Sequence, residues 1–426
     1  MADRNVGPPW AFRKHDAEKR RYGRGLDQLN FQKNSVFYPL IYVNLRNMVP
    51  RLLKNRLIDA LAPEAPRKVL CVFGPRQVGK TTLLREVFGE LPGQGEFLNG
   101  DFADDRALLV PERASLQRLA GHLDHLFVDE AQNVPEIGRV LKLLHDEFPR
   151  LRVVASGSAS FDLRRKTGEP LTGRQVVFEL FPVSFAELNP GATTLRQWIE
   201  HGMIYGGYPE IVTTGSPGEK RERLRQLAAD SLLKDLFAQV DVNRDRLHDL
   251  LRLLAFQIGR EVSMNELAST LRIDAKTVDR YLGFLEDAFV ITRLGGFSRN
   301  LRKEVAKSRK IYFNDPGIRN ALLDAFHPPA LRDDLGALWE NYLVVERRKW
   351  LSYAGVGASH WFWRTYDQQE IDLIEETSDG ERLSAFEFKW SPTRKVRLPK
   401  AFRETYPHAE TLVVTPENVR EFLQGR

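Results

Sequence analysis

Lys68-Val-Leu-Cys-Val-Phe73-Gly74-Pro-Arg-Gln-Val-Gly79-Lys80-Thr81-Thr-Leu-Leu-Arg-Glu-Val-Phe88 joins an apolar run, a glycine-bounded loop and an amphipathic stretch without a break. The first part reads as a buried strand and the last as a helix. The loop between them fits GxxxxGK[ST] in the strand-then-helix context that this pattern requires. Glycines let the backbone wrap closely around phosphates, so that its N–H groups and the helix N-terminus point at the anion. Gly74, Pro75, Arg76, Gln77, Val78, Gly79, Lys80, Thr81 and Thr82 are the expected nucleotide-binding residues. Lys80 would bridge the β- and γ-phosphates, and the Thr81 hydroxyl would bind Mg²⁺, which makes ATP and Mg²⁺ the expected cofactors.

Working outward, His125-Leu-Phe-Val-Asp129-Glu130 fits the second half of such a site. A buried strand would deliver Asp129 at its C-terminal end, where open α/β sheets bind ligands. Asp129 is expected to hold Mg²⁺, and Glu130 to polarise the attacking water as general base. The strand Leu-Arg-Val-Val-Ala-Ser ends in Ser156-Gly-Ser158, and Ser158 is preferred over Ser156 for contact with the γ-phosphate or the water. Arg174 is a candidate for stabilising charge on the γ-phosphate, in cis or from a neighbouring copy. A capped helix start, a strand-end turn and a surface ion pair are the ordinary readings of these last three features. Short apolar runs alternating with amphipathic stretches, up to about Pro182, imply a mostly parallel sheet with helices on both faces.

The chain of 426 residues has room for about two to four domains. Lys+Arg number 63 against 57 Asp+Glu, so the surplus of 6 matters less than where it sits. The single cysteine, Cys71, excludes an internal disulfide framework and a cysteine-built zinc site, and its place on the first strand makes it a small core residue. No apolar run reaches the ~18 residues of a membrane-spanning helix. Met1-Ala-Asp-Arg-Asn-Val-Gly-Pro-Pro-Trp10 lacks the apolar core of a secretory leader, so a cytoplasmic location is expected. Residues 1–41 read as a basic arm, 42–190 as the nucleotide-binding core, 191–244 as a helical lid, 245–325 as a winged-helix-like segment and 326–426 as a further α/β domain.

In the middle segment, Ser263-Met-Asn-Glu266 reads as a capping box, and Asp274 as the cap of a second helix with Val278, Tyr281, Leu282 and Leu285 as its apolar stripe. Lys276, Thr277 and Arg280 would face outward. Residues 292–310 hold seven Lys/Arg against Glu304 alone, a basic hairpin suited to gripping DNA phosphates. The competing reading is a module that packs on protein. At the C-terminal end, Phe386-Glu-Phe-Lys-Trp390 alternates strictly, which puts Glu387 and Lys389 on one strand face. With Asp372 upstream this D…ExK arrangement resembles the PD-(D/E)xK nuclease core. Asp372 and Glu387 would bind Mg²⁺, Lys389 would activate water, and Glu340, which matches the acidic residue on that fold's first helix, is a further expected metal ligand. Trp361-Phe-Trp363 reads as core.

Val72-Phe-Gly-Pro-Arg-Gln-Val-Gly-Lys-Thr-Thr-Leu-Leu84, Phe127-Val-Asp-Glu-Ala-Gln-Asn-Val-Pro135, Ala155-Ser-Gly-Ser-Ala-Ser160, Leu171-Thr-Gly-Arg174 and Gly206-Gly-Tyr-Pro-Glu210 together resemble a large group of mostly uncharacterised bacterial and archaeal AAA-type ATPases. The resemblance covers about Arg46 to Val414. It implies a P-loop ATPase core, then a winged-helix segment, then a restriction-endonuclease-like domain, without a settled biological role. Two functions follow as expectations. One is an Mg²⁺-dependent ATPase whose nucleotide state controls a DNA-binding or nuclease-like module, suited to genome defence or mobile-element handling. The other is a nucleotide switch acting through protein partners, with an inactive nuclease-like domain. Assembly into a homo-oligomer is compatible with both, and no membrane partner is expected.

Overall fold

The computed structural model describes residues 49–157, 171–231, 243–298, 309–365, 367–391 and 396–424. The expected basic arm and Ser158 lie outside the described residues, as do Arg299, Arg302, Lys303 and Lys307 of the basic hairpin.

The first of two sheets joins β1 (Val69–Phe73), β2 (Gly95–Asn99), β3 (His125–Asp129), β4 (Arg152–Gly157) and β5 (Gln175–Glu179) in the order β2-β3-β4-β1-β5. Every pairing is parallel. The strands β1, β3 and β4 are buried from end to end, which is why they read as unbroken apolar runs. β2 gives no such signal, because it lies at the sheet edge with only Leu98 fully buried. Side chains alternate across β1. Leu70 and Val72 pack under α1 (Leu53–Leu61) and α2 (Lys80–Glu90), while Val69, Cys71 and Phe73 pack under α3 (Ile137–Glu147). Cys71 is thus a core residue, and burial pushes its thiol up to about 12.

After a helical stretch that includes α4 (Leu195–Tyr205) come α5 (Arg244–Phe256), β6 (Glu261–Val262), α6 (Met264–Leu271), α7 (Ala275–Asp287), β7 (Ile291–Gly296) and β8 (Arg309–Phe313). Ser263 caps α6 by accepting from the Glu266 amide, and Asp274 caps α7 by accepting from the Thr277 amide. Each cap is worth about 1 kcal/mol. Val278, Tyr281, Leu282 and Leu285 are the buried face of α7. Phe289, at a φ of 60°, leaves this segment to join the core around α3. Burying such a ring contributes about 1.5–3 kcal/mol to holding the segment on the first sheet.

The second sheet is mixed, with the order β12-β11-β10-β9-β7-β8-β6, and adds β9 (Ala358–Arg364), β10 (Glu370–Thr377), β11 (Leu383–Phe388) and β12 (Glu410–Val414). β7 pairs with β9 in parallel through Gly295 and Gly296, so the hairpin of the middle segment and the C-terminal strands form one sheet. The expected division at 325/326 therefore falls between β8 and β9 within one continuous sheet. Alternation along a strand tells which side chains share a face, not which strand lies alongside. The 20-residue helix α8 (Leu335–Ala354) packs Leu338, Trp339 and Leu343 against Phe362, Leu373 and Phe386 of this sheet. Near its other end, Tyr353 joins Leu53, Leu57 and Phe181 in the core of the first sheet.

Candidate functional site

The glycine-bounded loop leaves β1 and turns into α2. A Cβ on Gly74 would stand 2.2 Å from the Leu180 carbonyl oxygen, so only glycine fits there. Gly79 caps α2 at a φ of 95°, in the left-handed region that favours glycine. Lys80 is buried, and its Nζ donates to the carbonyls of Gly74 and Pro75 at 2.9 Å each. Pro75 and Val78 are buried, Arg76 and Thr81 half-buried, and Gln77 and Thr82 exposed at the rim.

Asp129 ends β3 beside this loop. Thr81 Oγ1 donates to its Oδ2 at 2.6 Å, and Ser156 Oγ donates to its Oδ1. Asp129 is fully buried, so these hydroxyls satisfy a carboxylate that would otherwise stand alone in the interior. A hydroxyl and a carboxylate in contact are hard oxygen donors of the kind Mg²⁺ prefers, so the residues fit that ion. Glu130 follows at a φ of 48° and accepts from Gln132 Nε2 at 2.6 Å. Of the two serines considered, Ser158 is outside the described residues, and Ser156 is engaged with Asp129.

Arg174 stands elsewhere. Its carbonyl accepts from the Val69 amide at the start of β1, whereas the loop leaves from the end of that five-residue strand. At about 3.3 Å per residue the two ends are about 13 Å apart. The Arg174 guanidinium donates to Asp146 Oδ1 at 2.8 Å. Within one chain, Arg174 therefore stands at the end of the strands opposite the nucleotide loop.

Arg51, which carries no motif and escapes sequence reasoning, ties this loop to the rest of the chain. It donates to Val78 O at 2.8 Å, to Phe181 O at 2.6 Å and to Glu187 Oε1 at 3.0 Å. Tyr353 Oη, on α8, accepts from the Phe181 amide at 3.0 Å and lies 3.4 Å from Arg51 Nη2.

A second cluster forms where α8 crosses the second sheet. Antiparallel pairing of β10 with β11 sets Asp372 beside Phe388, whose amide donates to Asp372 Oδ2 at 2.7 Å. Lys389 Nζ donates to Glu387 Oε1 at 2.6 Å, while Glu387 Oε2 is buried without a hydrogen-bond partner. Phe386 and Phe388 turn to the opposite face and pack on Phe422, as the alternation predicts. Glu340 reaches in from α8, and one carboxylate oxygen each of Glu340, Glu370 and Asp372 lie within 4.8 Å of one another.

The four residues expected here thus converge, joined by Glu370 and by two that sequence reasoning missed. Lys310 Nζ donates to Glu340 Oε1 at 2.8 Å and pairs with Glu370, and Tyr312 Oη donates to Glu340 Oε1 at 2.6 Å. Burial pushes Glu340 up to about 7, with Lys310 opposing and Asp372 adding to the rise. Burial also raises Asp372, and burial together with the Asp372 charge raises Glu387. Burial works against the Lys389 ammonium, but its bond to Glu387 and the Asp372 charge outweigh that and raise it. Crowded carboxylates, with one buried Glu387 oxygen unsatisfied, are donors of the kind a divalent cation takes.

Among the described residues of the basic hairpin, the cations are paired or buried. Arg293 pairs with Glu286 and Asp279, Arg309 pairs with Asp279, and Lys310 is buried. On α7, Lys276 and Arg280 are exposed, while Thr277 is spent on the Asp274 cap.

An AAA domain family matches residues 66–189, a domain of unknown function (DUF8612) matches residues 196–328, and another (DUF4143) matches residues 335–426. Uncharacterized proteins of Mycobacterium bovis and Mycobacterium tuberculosis are each 31% identical over 333 residues, covering 77% of this chain and 71% of the relative. Among solved structures, a Walker-type ATPase of Pyrococcus abyssi is 17% identical, covering 63% of this chain and 94% of its own, with a TM-score of 0.46.

Proposed function

The chain belongs to the family of these mycobacterial proteins, with an AAA-type P-loop ATPase core, and on that premise we propose that it is an Mg²⁺-dependent ATPase whose nucleotide state controls the C-terminal carboxylate site. The observation that carries this reading is α8. Tyr353 near one end accepts from the Phe181 amide and lies beside the Arg51 guanidinium that donates to Val78 O in the nucleotide loop, and Glu340 lies 13 residues earlier in the carboxylate cluster. That separation is about 20 Å of rigid helix. A shift of the Val78 carbonyl on nucleotide binding has a packed route to Glu340.

In the first site Mg²⁺ supplies charge neutralisation between the phosphates. Lys80 would exchange its loop carbonyls for the phosphates, Thr81 and Asp129 would hold the ion, and Glu130 would take the proton of the attacking water. In the second site a divalent ion supplies Lewis acidity. Asp372 and Glu387 would hold it, and Lys389 would steady the anionic nucleophile. The order helix, strand, two helices and hairpin over residues 244–313 supports the winged-helix reading, and the strand placement of Asp372, Glu387 and Lys389 supports the PD-(D/E)xK reading. DNA is the proposed partner, in genome defence or mobile-element handling in the cytoplasm, with Arg174 available for catalysis only across an interface between copies. Among the described residues no helix is long and apolar enough to cross a membrane.

The second reading, a switch acting through protein with an inactive nuclease-like domain, is favoured by the internal pairing of Arg293, Arg309 and Lys310. ATP hydrolysis measured with and without a panel of DNA and RNA, scored for cleavage in the same tubes, separates the two. Stimulated turnover with Mg²⁺-dependent cutting supports the first. Turnover indifferent to nucleic acid, with no cutting, supports the second.

A further inference from the structure

The two lysines of the C-terminal site are not equivalent. Lys389 is partly exposed and bonded to one oxygen of Glu387. Lys310 comes from β8, is 1% exposed, and is held between Glu340 and Glu370 with Tyr312 on the same Glu340 oxygen. A Cβ on Gly259 would stand 3.2 Å from the other Glu340 oxygen, so backbone crowds that side. Of the three acids whose oxygens lie within 4.8 Å of one another, Glu340 and Glu370 therefore already hold an ammonium, and the Asp372 charge acts on it.

We propose that Lys310 is the resident cation of this half of the site, so that the site takes one divalent ion, at Asp372 and Glu387, and not a pair. The inference rests on the metal-site reading given under Proposed function. Paired catalytic ions sit about 3.5–4 Å apart and share a carboxylate. A second ion bridged from Asp372 would need the Glu340 and Glu370 oxygens that Lys310 holds, and would stand beside its charge. Glu340 and Lys310 are then positioning residues that fix Asp372 from behind.

Mn²⁺ titration of the nucleotide-free full-length chain, read by electron paramagnetic resonance, tests this, with Asp372→Ala identifying the ions that belong to the site. The wild type should bind one such ion with the spectrum of isolated Mn²⁺. Lys310→Met should admit a second ion and give a spin-coupled spectrum. Glu370→Gln should leave one ion bound, with a loss of affinity of about 10–100-fold at most, because Glu370 serves Lys310 and stands behind the ligands. A coupled pair in the wild type, one ion at unchanged affinity in Lys310→Met, or no ion bound in Glu370→Gln overturns the proposal. If Lys310→Met does not fold, the wild-type spectrum and Glu370→Gln decide. No ion at Asp372 in the wild type overturns the metal-site reading along with this one, while the other failures, with an ion bound, overturn this one alone.

Discussion

Arg51→Met removes the guanidinium that joins the nucleotide loop, the Phe181 carbonyl and Glu187. The Glu187 side chain is fully buried and that of Arg51 is 8% exposed, so the substitution strands a carboxylate in the interior. Breaking a buried pair from one side costs about 3–5 kcal/mol. Glu187 keeps the Leu52 and Ser184 amides as donors, which places the expected loss at the lower end of that range. The double variant Arg51→Met/Glu187→Gln removes the stranded charge and should recover a substantial part of the loss. Urea unfolding followed by far-UV circular dichroism measures the stabilities. Binding of a fluorescent ATP analogue should weaken in parallel, because the Val78 carbonyl is no longer held at 2.8 Å. A loss below about 1 kcal/mol in the single variant, or no recovery in the double, would refute the clamp.

Lys80→Ala should weaken ATP binding, and Glu130→Gln should spare binding while slowing hydrolysis by about 10²–10⁴-fold; equal turnover in wild type and Glu130→Gln removes Glu130 from its role. Arg174→Ala should leave turnover of the monomeric protein within about threefold of wild type, since loss of a transition-state arginine costs about 10³-fold or more. Asp372→Ala should lose metal and cleavage together, Lys389→Ala should spare metal and suppress cleavage, and ATP hydrolysis by the core should survive both, as paired metal-binding and turnover assays would report. Burial and the neighbouring Lys220 push His201 down to about 3, and Lys220 Nζ lies 2.7 Å from its Nε2. The folded state therefore keeps this imidazole neutral, and its contribution to stability is fully present above pH ~6.5 and is lost as pH falls from there towards 3, by about 1.4 kcal/mol per pH unit. His201→Phe should flatten that part of the stability curve, and an unchanged slope would assign it to other groups.

The parts legible from sequence are those in which one residue type is forced by one physical need. Gly74 and Gly79 mark a loop because a Cβ at either is penalised, and β1, β3 and β4 announce themselves because both faces are buried. Glu340, Asp372, Glu387 and Lys389 could be listed in order along the chain, and they meet. Their surroundings could not be read. Lys310 counts as one more charge of a basic hairpin until the parallel pairing of β7 with β9 brings β8 into the same sheet. Arg51 is an arginine before a helix, and its partners lie 27 to 302 residues away. Arg174 shows the converse, a residue type suited to a role and carried by its strand to the wrong end of the sheet.

Amide hydrogen exchange of Glu130→Gln protein with and without ATP and Mg²⁺ tests the coupling of the two sites most directly. If α8 transmits nucleotide state, exchange should change in residues 335–354 and at the Phe388 amide that donates to Asp372, as well as around the nucleotide loop. Changes confined to residues 66–189, with α8 and β11 exchanging alike in both states, would contradict the account.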